Sequence, residues 1–193
     1  MAQINGYVTV PHATFDEWLN ATLGNGYDVD GYYGDQCWDY CSLLYYQYGM
    51  TLITKPDGGT AADCWNVSRA INSRPPFTSI EGVENIRRGD IVVWNSNIYS
   101  STGHIAFATQ DYSDKVWDPD DNSWHLDFAG QNQGANHGPN GTPVNIYSIS
   151  LNNFLGIFRN TEWSTTPPTP PIPERRGKFP WVLYAKKFRN GRI

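Results

Sequence analysis

The sequence has few cysteines, and their arrangement suits neither a disulfide framework nor a structural zinc site. There are three in 193 residues, an odd number, and no two of them form a CxxC pair. Long apolar stretches are also missing, since no run approaches the roughly 20 residues needed to cross a bilayer. The first residues, MAQINGYVTV, lack the basic region and apolar core of a secretory signal peptide. We therefore predict free thiols, no membrane insertion and synthesis in the cytoplasm without a signal peptide.

Charge is distributed unevenly along the chain. The formal net charge is −5, yet residues 174–193 carry seven basic side chains and one acidic one, which leaves −11 for residues 1–173. The two regions are separated by a proline-rich stretch, residues 164–173, whose composition favours an extended spacer over helix or sheet. An acidic body with a basic tail is typical of a separate interaction segment. We predict a folded domain at 1–163, a linker at 164–173 and a basic, apolar tail at 174–193.

Local patterns predict helices in the first part of the domain and strands in the second. Residues 14–24 indicate a short helix with Thr14 as its N-cap, residues 36–49 a second helix, and residues 60–71 a third. Five short β-branched or aromatic runs separated by turn residues then predict strands: RRGDIVVWN, GHIAFATQ, SWHLDFAGQ, NIYSIS and FLGIFRN. Helices followed by an antiparallel sheet define an α+β fold.

The position of Cys37 suggests a nucleophile. It lies in the first turn of the second predicted helix, where unpaired N–H groups and the helix dipole favour a thiolate and lower the thiol pKa. Cys41, one turn further on, and Cys64 are better interpreted as small buried apolar residues. A thiolate needs a base, and His104, after Gly103 at the start of a predicted strand, is the best placed of four histidines. From the bare sequence, a strand-end polar residue is the commoner explanation for such a histidine.

A third residue should accept a hydrogen bond from the other imidazole nitrogen and so fix the tautomer of the ring. Asn132, at the end of the following predicted strand, is the first candidate. Gln131, Gln133 and Asp127 are the alternatives.

Four of these stretches together resemble a known family. DVDGYYGDQCWDY, RRGDIVVWN, GHIAFA and a strand ending in GQNQ follow one another as in the CHAP domains (cysteine, histidine-dependent amidohydrolase/peptidase) of phage endolysins that attack Gram-positive cell walls. The similarity spans residues 28–159 approximately. It implies a papain-like α+β fold, with N-terminal helices packed on a five- to six-stranded antiparallel sheet, and it makes residues 1–163 a catalytic domain.

The resemblance implies a role for each matching residue. The nucleophile would be Cys37 and the general base would be His104. Asn132 would orient the base, and the side chain of Gln36 would support an oxyanion. Several such endolysins have a glutamate two residues before the asparagine, where this sequence has Gly130. Either the asparagine therefore suffices to stabilise the imidazolium, or Asp127 substitutes for the missing carboxylate.

The resemblance also implies a calcium site in the loop before the nucleophile. Three carboxylates and two backbone carbonyls would supply the ligands, from Asp28, Asp30, Asp39, Tyr32 and Gly34. Hard oxygen ligands suit Ca²⁺ rather than zinc. Without the resemblance this loop would be interpreted as a solvated Asp/Gly turn. No organic cofactor is expected, and the second acidic run, residues 118–122, is interpreted as a hairpin turn.

The activity implied is hydrolysis of an amide bond in peptidoglycan, as an N-acetylmuramoyl-L-alanine amidase or as an endopeptidase. The sequence does not decide between these two, because both substrates present an acyl group to the same thiolate. Four tryptophans could line the substrate groove, although burial is expected for at least half of them: Trp38, Trp94, Trp117 and Trp124. The rival hypotheses are a non-catalytic glycan-binding module or degenerate tail component, and a Cys/His acyltransferase or amidase acting on a soluble substrate.

The expected partner is bacterial peptidoglycan, with no role for nucleic acid. The tail at 174–193 could bind anionic wall polymers, dock on another lysin subunit or on a phage tail protein, or be a disordered basic end. The protein would be made in the host cytoplasm and act at the cell wall, after holin-type release or as part of the virion.

Overall fold

The computed structural model describes most of the predicted domain, namely residues 2–3, 9–51, 53–95, 101–134 and 138–163. The predicted linker and basic tail, and the interactions expected of them, lie outside these residues. Within the described ranges, none of the helices has the length and apolar character that crossing a membrane requires.

The first two predicted helices are confirmed. Helix α1 is Phe15–Thr22, and Thr14 caps it, because its side-chain oxygen accepts the N–H of Glu17. Helix α2 is Cys37–Gln47 and is followed by Gly49, which has φ +68, a left-handed conformation common at helix ends.

The prediction of one continuous third helix is wrong. It forms two single turns, α3 (Asp63–Asn66) and α4 (Arg69–Asn72). The break falls at Ser68, whose ψ of 12° departs from helical geometry and whose N–H binds the carbonyl of Asp63, five residues back. That contact widens the turn and prevents the regular i to i−4 pattern from continuing.

The second half of the domain forms a seven-stranded antiparallel sheet in the order β3-β9-β4-β5-β7-β6, with β8 also paired to β7. The strands are β3 (Phe77–Ile80), β4 (Ile91–Trp94), β5 (His104–Ala108), β6 (Val116–Asp118), β7 (Ser123–Gly130), β8 (Asn145–Ser150) and β9 (Phe154–Asn160). All five predicted strands are present, and β3 and β6 raise the number above the expected five to six. A separate parallel pair joins β1 (Ala2–Gln3) to β2 (Tyr27–Asp28).

The sheet lies between two apolar layers. On one face of the sheet, alternate residues of β4 and β5 pack against Trp18 of α1 and Tyr40 of α2. These residues include Val93, Ile105 and Phe107. The residues of β4 and β5 that point to the other face form a second cluster with residues of β7, β8 and β9. This cluster includes Trp94, Phe128, Leu126 and Ile157. Both faces of the central strands are therefore buried, and α2 is held against β5.

Asp90, in the Gly-Asp pair before β4, is part of the framework of the sheet. Its side chain is 2% exposed, and its two carboxylate oxygens accept hydrogen bonds from Nε and Nη2 of Arg159 on β9, each at 2.8 Å. The N–H of Arg87 also donates to Asp90, at 2.7 Å. Burial raises the pKa of Asp90 and the hydrogen bond from Arg159 opposes that rise. The bidentate pair therefore ties the residue before β4 to β9.

Replacing Arg159 by methionine should lower the free energy of unfolding by about 3–5 kcal/mol, because the buried Asp90 loses its cation. The matched control is Arg69→Met, which removes an exposed ion pair with Glu81 and should cost no more than about 1 kcal/mol. Urea unfolding measures both variants. Similar losses in the two would show that the Asp90–Arg159 pair has no special structural role.

Candidate active site

Cys37 lies at the junction of α2 and β5. It is the first residue of α2 and is partly exposed, whereas Cys41 and Cys64 are completely buried, and all three thiols are free, as predicted. The Cys37 sulfur is within hydrogen-bonding reach of the backbone of Ile105, the residue after His104. The fold thus brings the helix that carries the thiol to the beginning of the strand that carries the imidazole.

The predicted lowering of the Cys37 pKa is wrong. Burial raises the pKa of this thiol to about 11, the hydrogen bond with Ile105 opposes the rise, and the neighbouring Asp39 adds to it. The N-terminus of α2 is therefore insufficient to ionise the sulfur by itself. A thiol that is protonated at rest needs a base beside it before it can attack a carbonyl carbon.

The His104 ring is buried and is held by Gln133. Its Nε2 atom lies 3.0 Å from Oε1 of Gln133, and the imidazole is 9% exposed. The ring also lies beside the buried indole of Trp94, with 5.8 Å between the ring centroids. The hydrogen bond to the imidazole that was predicted for Asn132 is made by Gln133, one of the three alternatives.

Asn132 instead contacts the start of α2. Its Nδ2 donates to Oε1 of Gln36 at 2.7 Å, and its Oδ1 accepts the N–H of Gly138 at 2.8 Å. Asn132 has φ +49, a left-handed conformation that asparagine tolerates better than most residues. The structure therefore brings two of the predicted catalytic residues, Gln36 and Asn132, into direct contact with each other.

The Gln36 side chain links the loop before α2 to the loop at 138–142. Its Nε2 donates to the carbonyls of Tyr33, at 2.6 Å, and Pro139, at 3.3 Å. Both amide hydrogens thus have backbone partners, so an oxyanion role for this side chain, which stays a prediction, would require it to exchange one of them. The amide was expected to face a substrate, but its contacts here position the residue preceding Cys37.

The loop at 138–142 fits closely against the residues before Cys37. The N–H of Thr142 donates to the carbonyl of Asp35 at 3.2 Å, and the N–H of Asp35 donates to the carbonyl of Asn140 at 3.3 Å. Gly141 has φ +70, and a Cβ there would lie 1.9 Å from the Asp35 carbonyl oxygen. Only glycine at position 141 lets the loop backbone come this close to Asp35. The contact fixes the backbone just before α2.

The three predicted calcium-binding carboxylates come together. One oxygen from each of Asp28, Asp30 and Asp39 lies within 4.8 Å of the others. Asp28 and Asp30 fold the loop locally, because their Oδ1 atoms accept the N–H groups of Gly31 and Tyr32 at 2.8 and 2.9 Å. The arrangement suits a small cation with oxygen ligands.

Asp39 is the buried member of this group. It is 1% exposed, and its oxygens accept the N–H groups of Val29, at 3.0 Å, and Gln36, at 3.1 Å. Burial raises the pKa of Asp39 to about 8, with Asp30 adding to the rise and the two N–H donors opposing it. A buried carboxylate beside other carboxylates fits a site for a cation, since a bound cation would favour its charged form.

The two predicted carbonyl ligands differ in their surroundings. Gly34 has φ +70, and its carbonyl accepts the N–H of Gln36 at 2.8 Å, so a cation would share this oxygen with the start of α2. Tyr32 follows the Asp30 turn and its side chain is 68% exposed. The roles of both carbonyls as ligands stay predictions.

The acidic run at 118–122 forms the hairpin turn from the last residue of β6 to the start of β7, as predicted. His125, which the sequence did not indicate as a site residue, lies against this turn, with its Nε2 2.8 Å from Oδ2 of Asp121. Asp118, Asp121 and His125 make a second group of possible metal ligands. The pairing of β6 with β7 creates this group, and the chain spacing gave no indication of it.

The four tryptophans considered for a groove have different fates. Trp94 is completely buried, and Trp38 is partly buried and donates to the Ile53 carbonyl at 2.9 Å. Trp117 and Trp124 are each 44% exposed and meet edge to face on β6 and β7. Of the four, this last pair offers the most exposed aromatic surface.

Comparison with known proteins identifies the family. The CHAP domain family matches residues 24–135, more than half of the chain, and the chain belongs to that family. A D-alanyl-L-alanine endopeptidase of Streptococcus phage B30 is 29% identical over 131 residues, which are 65% of this chain and 26% of that protein. The chain therefore spans about a quarter of the length of this curated relative.

The fold has a counterpart among solved structures. The crystal structure of the wild-type endolysin LysIME-EF1 matches with a TM-score of 0.55 at 22% identity, over 79% of this chain and 66% of that one. The predicted papain-like α+β fold of a CHAP domain is thus confirmed.

Iodoacetamide should alkylate Cys37 in the native protein and leave Cys41 and Cys64 unmodified, since these two have no exposed surface. Peptide mass spectrometry should find one modified cysteine per native chain, and three when the reaction follows unfolding in guanidinium chloride. Modification of Cys64 as fast as Cys37 in the native protein would contradict this account of the site.

Proposed function

We propose that this chain is a peptidoglycan hydrolase that cleaves an amide bond in the wall peptide of Gram-positive bacteria. The observation that carries the proposal is the position of Cys37, at the first residue of α2 with its sulfur against Ile105, next to His104. Membership of the CHAP family supports it, as do the names of an endopeptidase and an endolysin among similar proteins. The substrate would lie outside the cell membrane, at the wall.

The reaction would proceed through a thioester. His104 takes the proton from the Cys37 thiol while the sulfur attacks the carbonyl carbon of the peptide, forming a tetrahedral intermediate. The imidazolium then gives that proton to the leaving nitrogen as the C–N bond breaks, which leaves an acyl-enzyme. Water, deprotonated by His104, cleaves the thioester and releases a carboxylate and the free thiol.

The oxyanion of the tetrahedral intermediate needs donors that are already in position. The backbone N–H of Cys37, at the N-terminus of α2, is suited to this, because the helix dipole favours negative charge there. Gln36 would contribute indirectly, since its contacts with Asn132, Tyr33 and Pro139 fix the peptide that precedes Cys37.

Between the two possible bonds, an endopeptidase cut is the proposal that the phage relative favours. That relative is named as a D-alanyl-L-alanine endopeptidase, which would place the cut in a cross-bridge peptide. An N-acetylmuramoyl-L-alanine amidase would use the same thiol and the same base. Mass spectrometry of digested sacculi separates them, because an endopeptidase releases new peptide amines and leaves the glycan–peptide bond intact.

Cys37→Ala should abolish lysis of purified Gram-positive sacculi, lowering the rate by at least about 10³-fold, because no nucleophile remains. Binding to sacculi in a pull-down assay should be unchanged. Cys64→Ala is the matched control, since it removes a thiol that is completely buried, and it should retain lysis. Undiminished lysis by Cys37→Ala would refute the mechanism, and the absence of released peptides with the native chain would refute the substrate.

We further propose that the loop before Cys37 binds Ca²⁺ through Asp28, Asp30 and Asp39, with Tyr32 and Gly34 offering carbonyls. The ion would supply the positive charge that offsets three neighbouring carboxylates. The loop also determines the geometry of the nucleophile, because the Asp39 carboxylate accepts N–H groups from Val29 in the loop and from Gln36 at the helix start. A charged Asp39 would strengthen both of these hydrogen bonds.

Calcium at about 100 times its dissociation constant should stabilise the chain by about 2.7 kcal/mol, which corresponds to a rise in Tm of about 5–10 °C for a domain of this size. Chelation should remove the effect and reduce lysis. Asp30→Asn should weaken the response, whereas Asp57→Asn, at an exposed carboxylate outside both acidic groups, should leave it unchanged. An identical Tm with calcium and with chelator would exclude the site.

A further inference from the structure

Gln133 occupies an unusual position beside the base. It follows β7, between Asn132 with φ +49 and Gly134 with φ +83. This tight turn folds the side chain back over the end of the strand, where it is 6% exposed. A buried amide must satisfy all its hydrogen-bonding groups, and its contacts therefore fix which way it faces.

The orientation of the Gln133 amide follows from its neighbours. Its Nε2 lies 2.8 Å from the carbonyl oxygens of both Phe128 and Asn145, and 3.3 Å from Oδ1 of Asn145. Backbone carbonyls only accept hydrogen bonds, so the NH₂ group must face them, and a flipped amide would place oxygen against oxygen. Oε1 is thus directed to His104.

That orientation selects one tautomer of the histidine. Because Oε1 of Gln133 can only accept, the His104 Nε2 at 3.0 Å must carry the proton. In the neutral ring the lone pair is then on Nδ1. We propose that Gln133 is the positioning residue of His104, holding the Nε2–H tautomer so that Nδ1 accepts the proton of Cys37. The catalytic part of this assignment rests on the proposed function, whereas the tautomer does not.

The space around Gly130 supports this assignment. A Cβ on Gly130 would lie 2.5 Å from Oε1 of Gln133 and 3.0 Å from Cβ of Ala106. A side chain at position 130 would therefore enter the volume that the Gln133 amide occupies. The two positions compete for one location beside His104, and in this chain position 133 fills it with a neutral amide.

Nitrogen-15 NMR of histidine-labelled protein, at a pH where His104 is neutral, reads the tautomer directly. The native chain should show His104 as the Nε2–H form, and Gln133→Ala should shift it towards a mixture of both forms. Gln110→Ala is the matched control, because the Gln110 amide also binds β7, accepting the N–H of Asp127 at 3.0 Å. It should leave the tautomer unchanged. An Nδ1–H tautomer in the native chain would overturn the proposal without any variant.

Kinetics on solubilised peptidoglycan test the consequence. Gln133→Ala should lower kcat by about 10- to 100-fold, with KM little changed, by analogy with residues that hydrogen-bond and orient metal-ligating histidines. Adding Gly130→Glu to Gln133→Ala should restore part of kcat, because the new carboxylate enters the vacated volume. Loss of the tautomer with unchanged kcat would overturn the catalytic role. If the native chain shows the Nε2–H form but no lysis at all, the proposed function fails and the positioning role stands.

Discussion

The geometry of the site depends on the buried carboxylate of Asp39. One of its oxygens accepts the N–H of Val29 in the acidic loop, and the other accepts the N–H of Gln36 at the start of α2. A single side chain thus ties the loop to the helix that carries Cys37. Because the same carboxylate is buried with Asp28 and Asp30 nearby, its charge state affects both the loop and the position of Cys37.

A second set of contacts constrains the residues before α2. The loop at 138–142 reaches the backbone of Asp35, and Gln36 reaches Asn132 and Pro139. Cys37 is therefore preceded by a segment that is held by a carboxylate, by neutral amides and by backbone groups. Such a segment leaves Cys37 little freedom to move, which is the condition that a preorganised site requires.

Much of this fold could be predicted from the sequence, because its strongest signals are local. The cap at Thr14, the glycine after α2 and the five β-branched or aromatic runs all depend on neighbours within a few residues. Strands β3 and β6 were missed because neither carries an alternating apolar pattern: Phe77 is the one buried residue of β3, and Val116 on β6 is 67% exposed. They exist through pairing with β9 and β7, which the local sequence does not encode.

The site shows the same division between local and long-range information. Cys37 was found because a helix start is visible in the sequence, but the rise in its pKa depends on burial by strands that come much later in the chain. The assignment of Gln133 required the positions of two carbonyls, of Phe128 and Asn145, that orient its amide. An amide held in this way orients an imidazole and fixes its tautomer without placing a negative charge beside it. Absence of a carboxylate at position 130 is therefore compatible with a functional histidine, provided that the tautomer is fixed by geometry.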